Sequence, residues 1–174
     1  GRGRESIVTV ILGTGIGTGV VIGGRLLRGS HGQAGSLGGH FVLQVADPPR
    51  CTCGNLGCAE AVASTWALRR DLGELPREIR MRLLGDRPLD AYGYAELFES
   101  VRKDDPAASR LFDWTCKAWS AQIVSLIHAY DPEIVVITGG VVRSAELFVP
   151  RIQEYVSKYA WTPQHQVEIA IADN

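Results

Sequence analysis

The chain of 174 residues predicts an α/β fold built on a mixed sheet, and three observations carry that prediction. The front of the chain is a series of short β-branched runs separated by glycine turns. The back runs helix, strand, helix, strand, an order that packs helices against a sheet. The strand between the last two helices, Glu133-Ile-Val-Val-Ile-Thr138, is a continuous apolar run of the kind buried on both faces of a sheet.

Residues 6–12, Ser-Ile-Val-Thr-Val-Ile-Leu, are rich in β-branched side chains and read as a strand. Gly13-Thr-Gly-Ile-Gly-Thr-Gly19 follows as a loop, then the apolar run Val20-Val-Ile22. Gly23-Gly24 makes a hairpin turn into Arg25-Leu-Leu27, because glycine accepts positive φ. Residues 29–39 form a glycine-rich loop, 41–45 alternate enough for a short strand, and 46–58 are an irregular loop bearing three cysteines. From Ala59 the apolar spacing becomes helical through Ala61, Val62, Thr65, Leu68 and Leu72, with Gly73 as a stop. Residues 76–84 and 94–102 predict two further helices. Asp105 as N-cap and Pro106 in the first helical position open the longest helix. Its apolar face is Leu111, Trp114 or Thr115, Ala118, Trp119, Ile123, Leu126, Ile127 and Tyr130, and Asp131-Pro132 closes it. Ser144 caps a last helix running to 159 and bent near Pro150, and 167–172 are the final strand.

A chain of this length reads as one domain and can bury roughly 70% of its unfolded surface without a disulfide scaffold. Its composition, 45% hydrophobic and 21% charged, is globular. No run approaches the roughly 18 apolar residues of a membrane helix. With 18 basic and 19 acidic residues, the net charge of −1 offers no electrostatic reason to bind nucleic acid or an anionic membrane, so neither is expected as a partner. Gly1-Arg-Gly-Arg-Glu leads directly into the first strand with no signal-peptide pattern, and only Asp173-Asn174 follows the last. Both ends read as cut, as in a piece of a longer, cytoplasmic protein.

His40, Cys51, Cys53 and Cys58 supply the chemistry of a tetrahedral zinc site, three thiolates and one imidazole, on a loop whose Gly54 and Gly57 allow tight reversals. The alternatives are a disulfide with a spare thiol, or three unlinked cysteines; an odd count and the missing secretory signal disfavour the disulfide. One zinc ion per chain is expected. Cys116, inside the long helix, reads as a small buried hydrophobe, and His31, His128 and His165 as surface or core histidines. The backbone N–H groups around Gly13, Thr14, Gly15 and Gly17 can converge on a phosphate, with Thr14 and Thr18 adding hydroxyl donors, although a plain hairpin explains the loop equally well. Gly139 and Gly140 end a buried strand just before a helix, where α/β sheets place ligands and where glycine also serves close packing.

Together these segments resemble the ROK family of repressors, open reading frames and sugar kinases. The resemblance rests on Gly13-Thr-Gly-Ile-Gly17, Gly24-Arg25, Arg28-Gly-Ser-His-Gly-Gln-Ala-Gly35 and His40. It continues through Cys51-Thr-Cys-Gly-Asn-Leu-Gly-Cys-Ala-Glu60, Ala63-Ser64 and Asp131-Pro-Glu-Ile-Val-Val-Ile-Thr-Gly-Gly140. It implies an actin-like, ribonuclease-H-related ATPase fold, with residues 1–174 as a single C-terminal lobe and a zinc-binding loop at 40–58. It further implies that Gly13, Thr14, Gly15 and Gly17 form a phosphate loop and that Gly139 and Gly140 approach the adenosine of ATP. His40, Cys51, Cys53 and Cys58 would hold structural zinc, and Glu60, His40 and Ser36 would contact a hexose-type sugar. The implied activity is transfer of the γ-phosphoryl of Mg-ATP to a hydroxyl of a hexose or N-acylhexosamine, as in a glucokinase, by a homodimer or larger homo-oligomer.

Two features depart from the family pattern. The family has Glu-x-Gly-His before the cysteines, with that Glu on the sugar. Here Ser36 stands in its place with one extra glycine before His40, or Leu37 does when counted back from the histidine. Ser36 offers a weaker hydrogen bond than a carboxylate. The family's first phosphate loop and its catalytic Asp lie upstream of the Gly-Thr-Gly loop, and residues 1–12 contain neither. The chain is therefore expected to lack kinase activity by itself. A sugar-sensing domain of a ROK repressor, or a zinc-stabilised oligomerisation module, are the alternatives; the sequence upstream separates kinase from repressor. Glu60 also opens a helix, where the dipole alone favours an acid. Trp114 and Trp119 read as core or interface, and Arg77, Arg80 and Arg82 as a solvated helix face.

Overall fold

A computed structural model of the protein describes residues 3–172. Gly1, Arg2, Asp173 and Asn174, on which the expectation of cut ends partly rests, lie outside the described residues. The mixed sheet is present. Strands β1 (Ile7–Leu12), β2 (Ile16–Ile22) and β3 (Arg25–Leu26) form an antiparallel meander, and β4 (Ile134–Thr138) and β5 (Glu168–Ile171) add parallel to β1. The order across the sheet is β3-β2-β1-β4-β5. Register follows the pleat: Val8, Val10 and Leu12 of β1 lie beside Val135 and Ile137 of β4 on one face, and all five are buried. Ile7, Thr9 and Ile11 point the other way and are more exposed.

Among the described residues the helices are α1 (Ala59–Ala63), α2 (Thr65–Glu74), α3 (Arg77–Leu84), α4 (Tyr94–Arg102), α5 (Pro106–Tyr130) and α6 (Ala145–Tyr159). The buried face of the sheet shares one core with Ile123, Leu126 and Ile127 of α5 and Phe148 and Ile152 of α6. An aromatic cluster joins the helices: Trp119 lies 4.9 Å from Tyr94 and 5.6 Å from Phe148, ring centre to ring centre. Trp119 Nε1 and the Tyr94 hydroxyl both donate to the Ala63 carbonyl, at 2.9 and 2.7 Å, so the core grips the end of α1. No helix among the described residues is long and apolar enough to cross a membrane.

Several expectations need correction. The loop expected over residues 13–19 closes earlier: β2 starts at Ile16, so Gly17 and Gly19 are strand residues facing Ile11 and Thr9. The Ile11 side chain lies over Gly17, 3.5 Å from where a Cβ would stand. Residues 41–45 do not join the sheet. Phe41 O accepts from Ala59 N at 2.8 Å and Leu43 N donates to Gly57 O at 2.8 Å, so this segment pairs with the cysteine loop, with one bridge from Val42 to Cys58. The helix expected from Ala59 to Leu72 is two helices, because Ser64 is extended and its hydroxyl caps α2 by accepting from Ala67 N. Gly73 does not stop α2, which ends one residue later ahead of Pro76. Ser144 does not cap α6 with its side chain; its hydroxyl accepts from Arg102 Nη2 at 3.0 Å, after a 3-10 turn over Gly140–Ser144. Thr115 rather than Trp114 is the buried residue of that turn of α5. The arginine face is only partly solvated: Arg82 pairs with Asp105 and Arg80 donates to the Gly73 carbonyl.

Candidate functional site

The cysteine loop folds on itself through backbone bonds at its glycines. Gly57 N donates to Pro49 O, Cys51 N to Asn55 O and Gly54 N to Cys51 O, all within 3.0 Å. Gly54 and Gly57 are in the left-handed region, and a Cβ at Gly57 would stand 1.9 Å from the Gln44 carbonyl oxygen. These reversals bring Cys51, Cys53 and Cys58 together, and the 3-10 turn Gly38–His40 delivers His40 from the other side. The four donor atoms all lie within 4.8 Å of one another. Cys53 Sγ is 3.8 Å from Cys58 Sγ, and His40 Nδ1 is 3.6 Å from Cys51 Sγ. A zinc ion with metal–sulfur bonds of about 2.3 Å and metal–nitrogen bonds of about 2.0–2.1 Å requires tetrahedral edges of about 3.8 and 3.6 Å. These two spacings match such edges and the others stay within 4.8 Å, so donor set and spacing are compatible with that ion. Burial pushes the Cys58 thiol up to about 12, whereas the Asn55 backbone N–H lowers that of the exposed Cys53. Cys116 stays apart in α5, buried and raised to about 11 by burial, as an inert core thiol.

The glycine loops meet at the ends of adjacent parallel strands. Leu12 ends β1 and Gly139 follows β4; at φ +104, Gly139 comes so close that a Cβ there would stand 2.2 Å from Leu12 O. Gly13, Thr14 and Gly15 form the turn that leaves β1. Gly13 N donates to Gly15 O at 3.1 Å, and Gly13 O accepts from the N–H and hydroxyl of Thr65, at 3.0 and 2.8 Å. Thr14 is exposed, and Gly140 opens the 3-10 turn before α6.

Glu60, in α1, connects this turn with the cysteine loop. Its Oε2 accepts from Ile16 N at 3.0 Å and its Oε1 from the Thr52 hydroxyl at 3.1 Å. Gly15 makes room, since a Cβ there would lie 2.5 Å from Oε2. The turn carrying His40 is held from beneath: Gly38 N donates to Thr18 Oγ1, the Thr18 hydroxyl donates to Gly35 O, and Gln122 Nε2 donates to Gly38 O. Ser36 is exposed, and its hydroxyl donates to the Gln33 carbonyl at 2.8 Å within its own turn. The structure thus brings Gly13, Thr14, Gly15, Glu60 and the four metal-type donors into one connected region, with Gly139 against its back edge and Gly140 beside it in the chain, in open space. Thr18, read with Thr14 as a hydroxyl donor to a phosphate, is instead buried, and its hydroxyl is spent on Gly35 and Gly38. Thr52, Thr65 and Gln122 are supports that the sequence pattern does not mark as such. Of these only Gln122, an amide on the largely apolar buried face of α5, carried a signal, since such a group needs a partner.

The sequence profile of the ROK family matches residues 1–174. The chain is 40% identical to a glucokinase of Thermotoga maritima over 162 residues, covering 91% of this chain and 50% of that protein. It is 27% identical to the N-acetylglucosamine repressor of Escherichia coli O6:H1 over 157 residues, covering 90% of this chain and 37% of the repressor. In three dimensions it resembles a ROK family glucokinase from Streptomyces griseus in complex with glucose and AMPPNP, with TM-score 0.79 and 29% identity, over 98% of this chain and 55% of that one. The chain spans about half the length of the glucokinases it matches.

Proposed function

The chain belongs to the ROK family, and we propose that it is the ATP- and sugar-binding C-terminal lobe of a hexose kinase with the actin-like, ribonuclease-H-related fold. The strand order 3-2-1-4-5, antiparallel then parallel, supports that topology. One observation carries the functional reading. The Glu60 carboxylate is bound to the first backbone N–H after the Gly13-Thr14-Gly15 turn, and that turn leaves the strand whose end touches Gly139. A sugar-type acceptor, a phosphate-type turn and a backbone shelf thus follow one another in the order that sugar, phosphates and adenosine take in a phosphoryl-transfer complex.

In this reading Gly13, Thr14, Gly15 and Gly17 line the phosphates and Gly139 with Gly140 the adenosine. Glu60 accepts hydrogen bonds from sugar hydroxyls, His40 borders the sugar, and Ser36 contributes at most a neutral hydrogen bond. His40, Cys51, Cys53 and Cys58 hold zinc, which ties the loop over residues 40–58 together and supplies no chemistry to the reaction. Mg²⁺ enters with ATP and neutralises phosphate charge. The sugar hydroxyl oxygen forms the new bond to the γ-phosphorus, the bond to the ADP oxygen breaks, and the hydroxyl proton passes to a base. The residues assigned here bind and position; none is assigned as that base. Glu60→Gln in the full-length protein is expected to weaken glucose or N-acetylglucosamine binding about tenfold or more, the worth of hydrogen bonds to a charged group, with zinc content unchanged. Unaltered affinity for a sugar that the wild type binds overturns the assignment.

A second reading, a sugar-sensing domain without turnover, is favoured by Ser36, which lacks a carboxylate and spends its hydroxyl on the Gln33 carbonyl. ATP-dependent sugar phosphorylation by the full-length protein decides between the two.

A further inference from the structure

Glu60 has a long side chain on a helix of five residues, so nothing intrinsic to α1 fixes where its carboxylate points. Two hydrogen bonds do. Ile16 N–H holds Oε2 at 3.0 Å, and the Thr52 hydroxyl holds Oε1 at 3.1 Å. The two anchors differ in kind. Ile16 is a buried strand residue, already fixed by its pairing with Leu12. Thr52 is exposed, but it lies between Cys51 and Cys53, so its backbone goes where the cysteine loop goes. Gly15 leaves the space for this arrangement, because any Cβ there would meet Glu60 Oε2.

We infer that Thr52 is a positioning residue: its hydroxyl orients the Glu60 carboxylate across the gap between the cysteine loop and the Gly13–Gly15 turn. Resting on the sugar-binding role given to Glu60 above, this makes Thr52 the route by which the state of the cysteine loop reaches the sugar. Each carboxylate oxygen offers two lone-pair directions, so Thr52 and Ile16 occupy one on each oxygen and leave acceptor capacity free for a sugar diol. Threonine at 52 thereby selects one carboxylate orientation, and a residue with no hydroxyl leaves Glu60 tethered at a single oxygen.

Thr52→Val removes the hydroxyl while keeping the β-branched shape, and Thr52→Ser keeps the hydroxyl. Two quantities are read on the zinc-loaded full-length protein: amide hydrogen exchange at Ile16, and affinity for glucose and N-acetylglucosamine. For Thr52→Val, Ile16 exchange is expected to accelerate and sugar affinity to fall about fivefold, the worth of one hydrogen bond. Metal content stays unchanged, and Thr52→Ser restores both readouts. Wild-type Ile16 exchange in Thr52→Val overturns the inference. If only Glu60→Gln loses sugar affinity, the sugar site stands and the role of Thr52 falls. If Ile16 exchange responds to Thr52→Val while neither variant alters sugar affinity, the positioning role stands and the sugar assignment falls.

Discussion

Gly39 has almost no space around it: a Cβ there would lie 2.0 Å from the Ile16 carbonyl oxygen, a backbone atom that cannot turn aside. His40 therefore comes near the cysteines only because its predecessor lacks a side chain. Gly39→Ala is expected to force the turn away from β2 and cost about 1–3 kcal/mol, the usual penalty of overpacking, read as a lower urea midpoint with unchanged slope, and to weaken zinc retention. Retention of wild-type stability and metal content would contradict this account of the turn. At this scale the metal-type donors were legible, because three thiols and an imidazole at short spacing have few other uses. The supporting roles of Thr18 and Gln122 were not, because the Gly38 groups they bind lie 20 and 84 residues away along the chain. Ser36 was legible as a missing carboxylate, but the turn that takes its hydroxyl was not.

Helix α5 announced itself through its ends. Asp105 accepts from the N–H groups of Ala107 and Ala108, Pro106 occupies the first turn, and Asp131 closes the helix in the left-handed region. The Arg82 guanidinium beside Asp105, together with those two N–H groups, holds the carboxyl below its usual range. The folded value therefore lies below the unfolded one of about 3.9. The stabilisation is present above that unfolded value and is lost as pH falls through the folded one. Asp105→Ala is expected to cost about 1 kcal/mol at pH 7, the ordinary value of a cap. Asp105→Asn keeps most of the cap but flattens the acid limb of the stability profile, which thermal melts from pH 2 to 7 would read. An unchanged acid limb in Asp105→Asn would remove Asp105 from the acid response. The elements that depart from their sequence pattern are those decided by partners. Residues 41–45 alternate like a strand, yet the Gly57 carbonyl and Ala59 N–H take their hydrogen bonds before the sheet can. Ala59 to Leu72 has unbroken helical spacing, yet Ser64 breaks it by capping the second half.

For the whole molecule, the cysteine loop, α1 and the start of β2 are one mechanical unit, linked through Glu60 and locked by Trp119 and Tyr94 at the Ala63 carbonyl. Chelation of zinc is expected to accelerate amide exchange across residues 40–58 and at Ile16, while the β4 amides keep their protection. A uniform response across the sheet would contradict such a unit. In the proposed zinc site a thiolate ligand must give up its proton, and burial holds the Cys58 thiol up, so zinc binding is expected to release protons and to weaken as pH falls. Calorimetry in buffers of different ionisation heat checks the sign. By itself the sequence determined the α/β class, the long capped helix, the strand over residues 134–138, although Val136 and Thr138 are only partly buried rather than covered on both faces, and the grouping of three cysteines with His40. Each of these follows from periodicity, from capping chemistry or from a donor set that is distinctive within one short segment. Only the tertiary structure decided that Glu60 reaches Ile16, that Gly139 backs onto Leu12 and that Ser64 divides the helix. Those outcomes depend on groups far apart along the chain, which only the packing of α1 and β4 around β1 brings within hydrogen-bonding or van der Waals reach.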